Sequence, residues 1–267
     1  MANRTIILLS DLHIGLRGIE TTRTRNIFDK IAASYPGVPV LITGDLTDSA
    51  SARQFRAMRK LLDGLAESNP ILTVPGNHDY AWKGNILRDD GWENWVKHLG
   101  SPLGWGRKVV HWMGVDFEPS GIDGLGVWKS GGLTFFGIDS GDPKDKKISA
   151  RGYISKRLAD ALNEVLKKYE GKTRVAMLHH HPFDENFFTK LHGADQLMNA
   201  VKNNCELLLF GHEHEYGIWW SQRGLPLTVS SHKSTDNISG NCLFITIIDI
   251  LNAGTDKVSF KHRIETF

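Results

Sequence analysis

"TIILLSDLHIG", residues 5–15, is the stretch that decides the fold. Its first six residues, 5–10, are short, apolar on both faces and partly β-branched, as a strand buried in the middle of a sheet must be. The run stops at Asp11, and His13 follows two positions later. A strand with no polar face that ends in Asp-x-His needs a reason, and the same ending recurs along the chain. "VLITGDLTD" (40–48) ends in Asp45 and Asp48, and "ILTVPGNHD" (71–79) in Asn77, His78 and Asp79. "RVAMLHHHP" (174–182) ends in His179, His180 and His181, and "ELLLFGHEH" (206–214) in His212 and His214.

The segments between the first strands are helical. In 51–66, Phe55, Met58, Leu61, Leu62 and Leu65 recur at helical spacing, and 21–34 is long enough for a second helix. Strand–helix–strand at this rhythm means βαβ units and a parallel sheet. The pattern returns with "LTFFGID" (133–139), a helix near 154–169, the strand 174–178, a helix near 194–203 and the strand 206–210. From 216 onward the chain reads as strands alone. The expected architecture is α/β (α+β), with two packed sheets flanked by helices in a single domain over 1–267. Residues 80–131 interrupt this rhythm. They hold six of the eight tryptophans and many glycines, and read as a cap-like insertion.

Composition narrows the function. The chain has 267 residues, enough to bury a large core without staples. A net charge of +2 is too mild to mark a nucleic-acid or membrane surface. The two cysteines, Cys205 and Cys242, are too few for a disulfide framework. "MANRTIILLSD" has too short an apolar run for a secretory signal, and no stretch approaches a membrane span. A cytoplasmic protein is expected. The basic stretch 144–157 reads as a solvated loop and helix start rather than a polyanion site.

In an open α/β sheet, ligands bind beyond the carboxyl ends of the strands. Polar residues at five such ends converge on one place. Grouped carboxylates and imidazoles repel and desolvate one another unless something positive sits among them. Divalent metals accept this O and N donor set, and the absence of Cys argues against a thiolate zinc site. So many donors suit two ions sharing a carboxylate, about 3.5–4 Å apart. From the residues alone, the ligand within the triple His is undecided.

Taken together the blocks resemble the calcineurin-like metallophosphoesterase superfamily, whose pattern is D-x-H, G-D-x-x-D, G-N-H-D/E, H and G-H-x-H. Here they stand as Asp11–His13, Gly44–Asp48, Gly76–Asp79, His179 and Gly211–His214, in that order. "GNHD", "HHHP" and "GHEH" most resemble the class III cyclic-nucleotide phosphodiesterase-like group. The resemblance implies a four-layer αββα sandwich of two mixed sheets. It implies two divalent ions, Mn or an Fe/Mn mixture by preference, with Zn, Co or Ni accepted. Asp11, His13 and His214 would hold the first ion, Asn77, His179 and His212 the second, and Asp45 both. His78 would face the substrate, positioned by Asp48. Read on its own, Asp48 is alternatively a helix N-cap before 51–66. Asp79 has no assigned chemistry and bonds backbone in the tight turn.

The implied activity is hydrolysis of small phosphodiesters by attack of a metal-bridging hydroxide, with His78 assisting the leaving group. Phosphomonoesterase or nucleotide pyrophosphatase activity is the alternative, followed by a nuclease or a non-catalytic scaffold. Asn77, His78, Trp82, His180 and His181 are the candidate substrate contacts, with Phe183, Asp184 and Tyr216 flanking the pocket. The expected partner is a small phosphate ester, with no membrane and no nucleic acid. A homodimer through 80–131 or 241–267 is possible for this class.

Overall fold

The computed structural model describes residues 2–15, 18–80, 90–99, 116–119, 122–130, 132–141, 150–219, 224–235, 243–255 and 257–267. The first part of the chain runs β1 (Ala2–Leu9), α1 (Ile19–Ser34), β2 (Val40–Ile42), α2 (Ala52–Ala66), β3 (Ile71–Thr73), a 3-10 turn at Asn77–Tyr80 and α3 (Gly91–Leu99). The middle runs β4 (Asp116–Pro119), β5 (Leu125–Ser130), β6 (Leu133–Ile138), β7 (Gly152–Tyr153), α4 (Lys156–Lys167), β8 (Thr173–Met177), β9 (Leu191–His192), α5 (Ala194–Val201) and β10 (Leu207–Phe210). The chain closes with β11 (Gly217–Trp219), β12 (Leu227–Ser230), β13 (Phe244–Ala253) and β14 (Ser259–Thr266).

Two mixed sheets form, in the orders β14-β13-β1-β2-β3 and β11-β12-β10-β8-β6-β5-β4, with a small β7-β9 pair beside them. In the first, β1, β2 and β3 are parallel and β13 closes antiparallel on β1. In the second, β6, β8, β10 and β12 are parallel, while β5 and β11 run antiparallel at the flanks. Crossover helices cover the outer faces, so the parallel strands are buried on both sides, as their apolar runs require.

Adjacent residues of the second sheet show the layering. Phe135, Val175, Leu207 and Leu209 belong to the core shared with the first sheet and with α1 and α2. Their neighbours Phe136, Ala176 and Leu208 belong to a second core beneath α4 and α5. Side chains alternate across a strand, so one sheet serves two cores. The result is the expected four-layer αββα sandwich. α2 begins with a reciprocal capping box. Gln54 N–H donates to Ser51 Oγ, and Gln54 Oε1 accepts from Ser51 N–H. The N-cap is therefore Ser51, and Asp48 is left free of the capping role.

The stretch 80–131 is not uniform. Of its described tryptophans, Trp95 and Trp128 lie in the main core at 0% and 2% exposure, and Trp92 packs partly buried against the same core, rather than in a separate local one. Trp95 on α3 packs edge-to-face on Phe55 of α2, and β4–β5 extend the second sheet. Glycines and polar residues diluted the apolar periodicity here. Trp82 and Cys242 lie outside the described residues. No helix among the described residues is long and apolar enough to cross a membrane.

Candidate metal centre

The parallel strands of both sheets end at one place. Asp11 N–H donates to the Gly44 carbonyl and His13 N–H to the Asp45 carbonyl, joining the ends of β1 and β2. Gly211 N–H donates to the His179 carbonyl, joining β10 to β8. Across the sheets, His212 N–H donates to Asp11 Oδ2 (3.2 Å), and His179 Nδ1–H donates to the Thr43 carbonyl (2.7 Å).

The loops take this shape at a local cost. Asp11, His13, Asp45, His212 and His214 all adopt positive φ, between 45° and 81°. Non-glycine residues rarely do so, and each case costs about 1 kcal/mol or more. In an extended strand, residues two apart share a face but stand roughly 6–7 Å apart; the left-handed turns let Asp11 and His13, and His212 and His214, reach one site. Glycines clear the space. A Cβ on Gly76 would stand 2.1 Å from Asp45 Oδ1, and one on Gly211 1.8 Å from Ser10 Oγ.

One set of donors gathers around Asp11. Its Oδ1 is sealed from solvent without a hydrogen-bond partner, with His214 Nε2 3.3 Å and His13 Nε2 3.7 Å away. The two imidazole nitrogens stand 3.4 Å apart. The second set gathers around His179. Carbonyl acceptors fix both tautomers here. His179 Nδ1–H is spent on Thr43, and His212 Nε2–H donates to the Thr189 carbonyl (3.2 Å). His179 Nε2 and His212 Nδ1 therefore both point inward, 3.1 Å apart, with Asn77 Oδ1 3.0 Å from His179 Nε2. Backbone carbonyls that hold the far nitrogen are the usual support of a metal-binding imidazole.

Asp45 Oδ2 lies between the sets, 3.6 Å from His13 Nε2 and 3.5 Å from His179 Nε2. Asp11, His13 and His214 can hold one ion and Asp11, Asp45 and His179 another, each trio having ligand atoms within 4.8 Å of one another. The donors are all nitrogen and oxygen and are mostly buried, His214 being the half-exposed one, which fits divalent metals. The electrostatics agree. Against the cost of burial, the Asp45 carboxylate pushes His179 up to about 9. Burial, with His179 beside it, pushes His212 down to about 3. In the other set, against the cost of burial, the Asp11 carboxylate raises His214, while burial pushes His13 down to about 3, so each set pairs one ring that favours the charged form with one that resists it.

His78 faces the cleft from the 3-10 turn. Its N–H donates to Asp45 Oδ1 (2.8 Å), and its Nε2 lies 4.0 Å from Asp45 Oδ2. Its Nδ1–H donates to the Asp48 main-chain carbonyl (2.7 Å). The expected dyad through the Asp48 carboxylate is corrected to this carbonyl. The carboxylate lies within 4.8 Å of the ring nitrogens of His13 and His78 and titrates above its usual range because it is buried, with Glu20 adding to this. Asp79 is a clasp. Its carboxylate accepts from Leu46 N–H, Thr47 N–H, Thr47 Oγ1 and Gly76 N–H, at 2.9–3.1 Å.

A cleft of about 360 Å³ opens over the site, floored by Asp45, Asn77, His78, His212 and His214. Its outer wall is Ala150, Phe188 and Thr189, which the sequence pattern does not reveal. "NFFTK" (186–190) carries no motif; the pairing of β7 with β9 and the bond from His212 to the Thr189 carbonyl bring it to the donor sets. Two expected substrate contacts are corrected. His180 is fully buried, bonded through Nδ1 to Ser140 Oγ (2.8 Å), and packs behind His179 and His212. His181 turns to the opposite strand face, into an aromatic cluster with Phe183, Phe210 and Trp219. Phe183 follows it there. Asp184 instead bonds the Thr189 hydroxyl, and the Tyr216 hydroxyl meets His262 Nδ1 (2.6 Å).

The calcineurin-like phosphoesterase family pattern matches residues 4–216, a span that contains every residue of the two donor sets. The chain belongs to the calcineurin-like phosphoesterase family. Its members are hydrolases of phosphate esters and typically use two metals. A Coxiella burnetii protein named a probable cyclic nucleotide phosphodiesterase is 23% identical over 231 residues, 81% of this chain and 79% of that one. Solved structures share the calcineurin-like fold at low identity. A dimetal phosphatase from Danio rerio superposes with a TM-score of 0.70 at 13% identity, covering 98% of both chains. The calcineurin-like phosphoesterase YfkN from Bacillus subtilis gives 0.54 at 14% identity, covering 99% of this chain and 90% of that one.

Proposed function

We propose that the protein is a dinuclear metal-dependent phosphoesterase that hydrolyses small phosphodiesters. The observation that carries this reading is the position of Asp45 Oδ2, within 3.6 Å of a ring nitrogen from each donor set. Asp11, His13 and His214 would hold one ion, Asn77, His179 and His212 the other, and Asp45 would serve both. When bound, such ions supply Lewis acidity toward phosphate oxygens and an activated water. Manganese, or an iron–manganese pair, suits the nitrogen and oxygen donors.

The remaining chemistry belongs to the chain. Asn77 and the ring of His78 line the cleft where a phosphate ester would lie. The Asp48 carbonyl holds the proton of His78 on Nδ1, so Nε2 is the atom that meets the substrate. When the imidazole is charged, it can donate from Nε2 to the departing oxygen. The cleft, about 360 Å³, accommodates one phosphodiester group. The name of the Coxiella burnetii relative supports a diester over a monoester.

The test is hydrolysis of bis-p-nitrophenyl phosphate against p-nitrophenyl phosphate, on metal-stripped protein resupplied with Mn²⁺. Metal-dependent turnover that favours the diester is expected. A preference for the monoester would replace the phosphodiesterase reading with a phosphatase, and no turnover with any divalent metal would end the enzymatic one.

A further inference from the structure

The mouth of the cleft carries apolar surface for which packing gives no reason. Phe188 is 64% exposed, yet it lines the same cleft as Asp45, His78 and His212. On a loose loop this would mean little, but the backbone at Phe188 is fastened on every side. Its N–H donates to Asn186 Oδ1 (3.0 Å), and its carbonyl accepts from Ala150 N–H (3.0 Å). The next carbonyl, of Thr189, takes the Nε2–H of His212. Asp184 closes the loop by accepting from Asn186 N–H (2.9 Å) and from the Thr189 hydroxyl. The bond that orients a candidate metal ligand therefore also helps to hold the backbone that carries Phe188.

Two cations also stand at the lip. Phe188 meets Phe187 edge-to-face, and over Phe187 lie the Arg151 guanidinium at 5.0 Å and the Lys190 ammonium at 5.8 Å. An exposed ring on a fastened backbone, beside cations, suits a ligand that is both flat and anionic. Every phosphodiester presents the same phosphate to the metals, so selectivity among them has to come from contacts to the organic groups.

We infer that Phe188 is a specificity-determining residue that stacks on an aromatic or heteroaromatic ester group of the substrate, held next to the phosphate site. This rests on the phosphoesterase reading and narrows its substrate class. Stacking needs only a π-face, so the preference is for a ring over an alkyl group rather than for one particular ring.

Binding of phenylphosphonate and methylphosphonate to the Mn²⁺-loaded protein, measured by titration calorimetry, tests this without turnover. The native protein is expected to hold phenylphosphonate about tenfold more tightly. Phe188→Ala should remove that preference and leave methylphosphonate binding unchanged. Phe188→Trp should keep it, and Phe188→Leu should lose most of it. If both phosphonates bind and Phe188→Ala leaves their ratio unaltered, the role of Phe188 is overturned while the site reading stands. The role is overturned equally if Phe188→Ala lowers the melting temperature and weakens both ligands to the same extent, since the ring is then a packing residue. If neither phosphonate binds the metal-loaded native protein, the phosphoesterase reading falls, and this inference with it.

Discussion

The Asp79 carboxylate accepts both the amide N–H and the hydroxyl of Thr47, at 3.0 and 2.9 Å. Two short sequence blocks, one around Asp45 and one around Asn77, are locked in register by this single buried side chain. Asp79→Ala would leave four buried donors without an acceptor, since Leu46 N–H and Gly76 N–H depend on the same carboxylate. Each such loss costs about 1–3 kcal/mol before relaxation. The expected fall is roughly 3 kcal/mol, or roughly 6–12 °C in Tm for a chain of this size. Thermal unfolding checks it, and an unchanged Tm would remove the clasp from the account.

Asp45→Ala takes away the oxygen shared by the two donor sets. Bound metal, measured by plasma emission on dialysed protein, should fall. Turnover should drop by at least about 1,000-fold, the equivalent of several kcal/mol of metal-derived charge stabilisation. A fully metallated, active Asp45→Ala protein would contradict the shared position.

His78→Ala separates chemistry from metal binding. The ring belongs to neither ion's proposed ligand set, so metal content should stay at the native level. The rate should fall on the order of 100-fold, as for loss of a general acid. Loss of both metals would show instead that His78 supports the ligands.

Far from the site, Glu206 takes three bonds from Arg174: the backbone N–H (2.6 Å), Nε (3.3 Å) and the terminal nitrogen (2.7 Å). Removing one partner of a buried pair is expensive because the other charge stays behind. Glu206→Ala should destabilise by about 3 kcal/mol, read as a lower midpoint in urea, while metal content stays unchanged.

Cys205 should be inert in the native state. Burial, with the Glu206 charge next to it, pushes its thiol up to about 12, and its S–H lies 3.1 Å from the Leu207 carbonyl. The thiolate is the reactive form, so almost none exists at pH 8. In a Cys242→Ser background, iodoacetamide should label the protein in denaturant and leave the folded protein unmodified. Rapid labelling of the folded protein would refute the assignment.

Much of this molecule was legible in one dimension. Residues apolar on both faces, such as 5–10 and 207–210, announced strands covered on two sides, because no other environment accepts them. The Asp, Asn and His residues at their ends announced metals, because nothing else stabilises so many donors together. Between 80 and 131 the signal failed. Trp95 and Trp128 belong to the main core, but the surrounding glycines and polar residues hid the periodicity of α3 and β5. Sequence also could not divide the labour within His179–His181. That waited for the bend after β8, which sends His179 to the donor set with Asn77, buries His180 against Ser140 and turns His181 into an aromatic cluster. It could not distinguish the Asp48 carboxylate from the Asp48 carbonyl as the partner of His78. Phe188 and Thr189 belong to no motif and reach the cleft through long-range contacts, the pairing of β7 with β9 and the bond from His212 to the Thr189 carbonyl. Residue types and spacing decide which chemistry a chain can support. Which atom of a residue faces that chemistry depends on backbone angles and long-range pairing, and only the folded chain sets those.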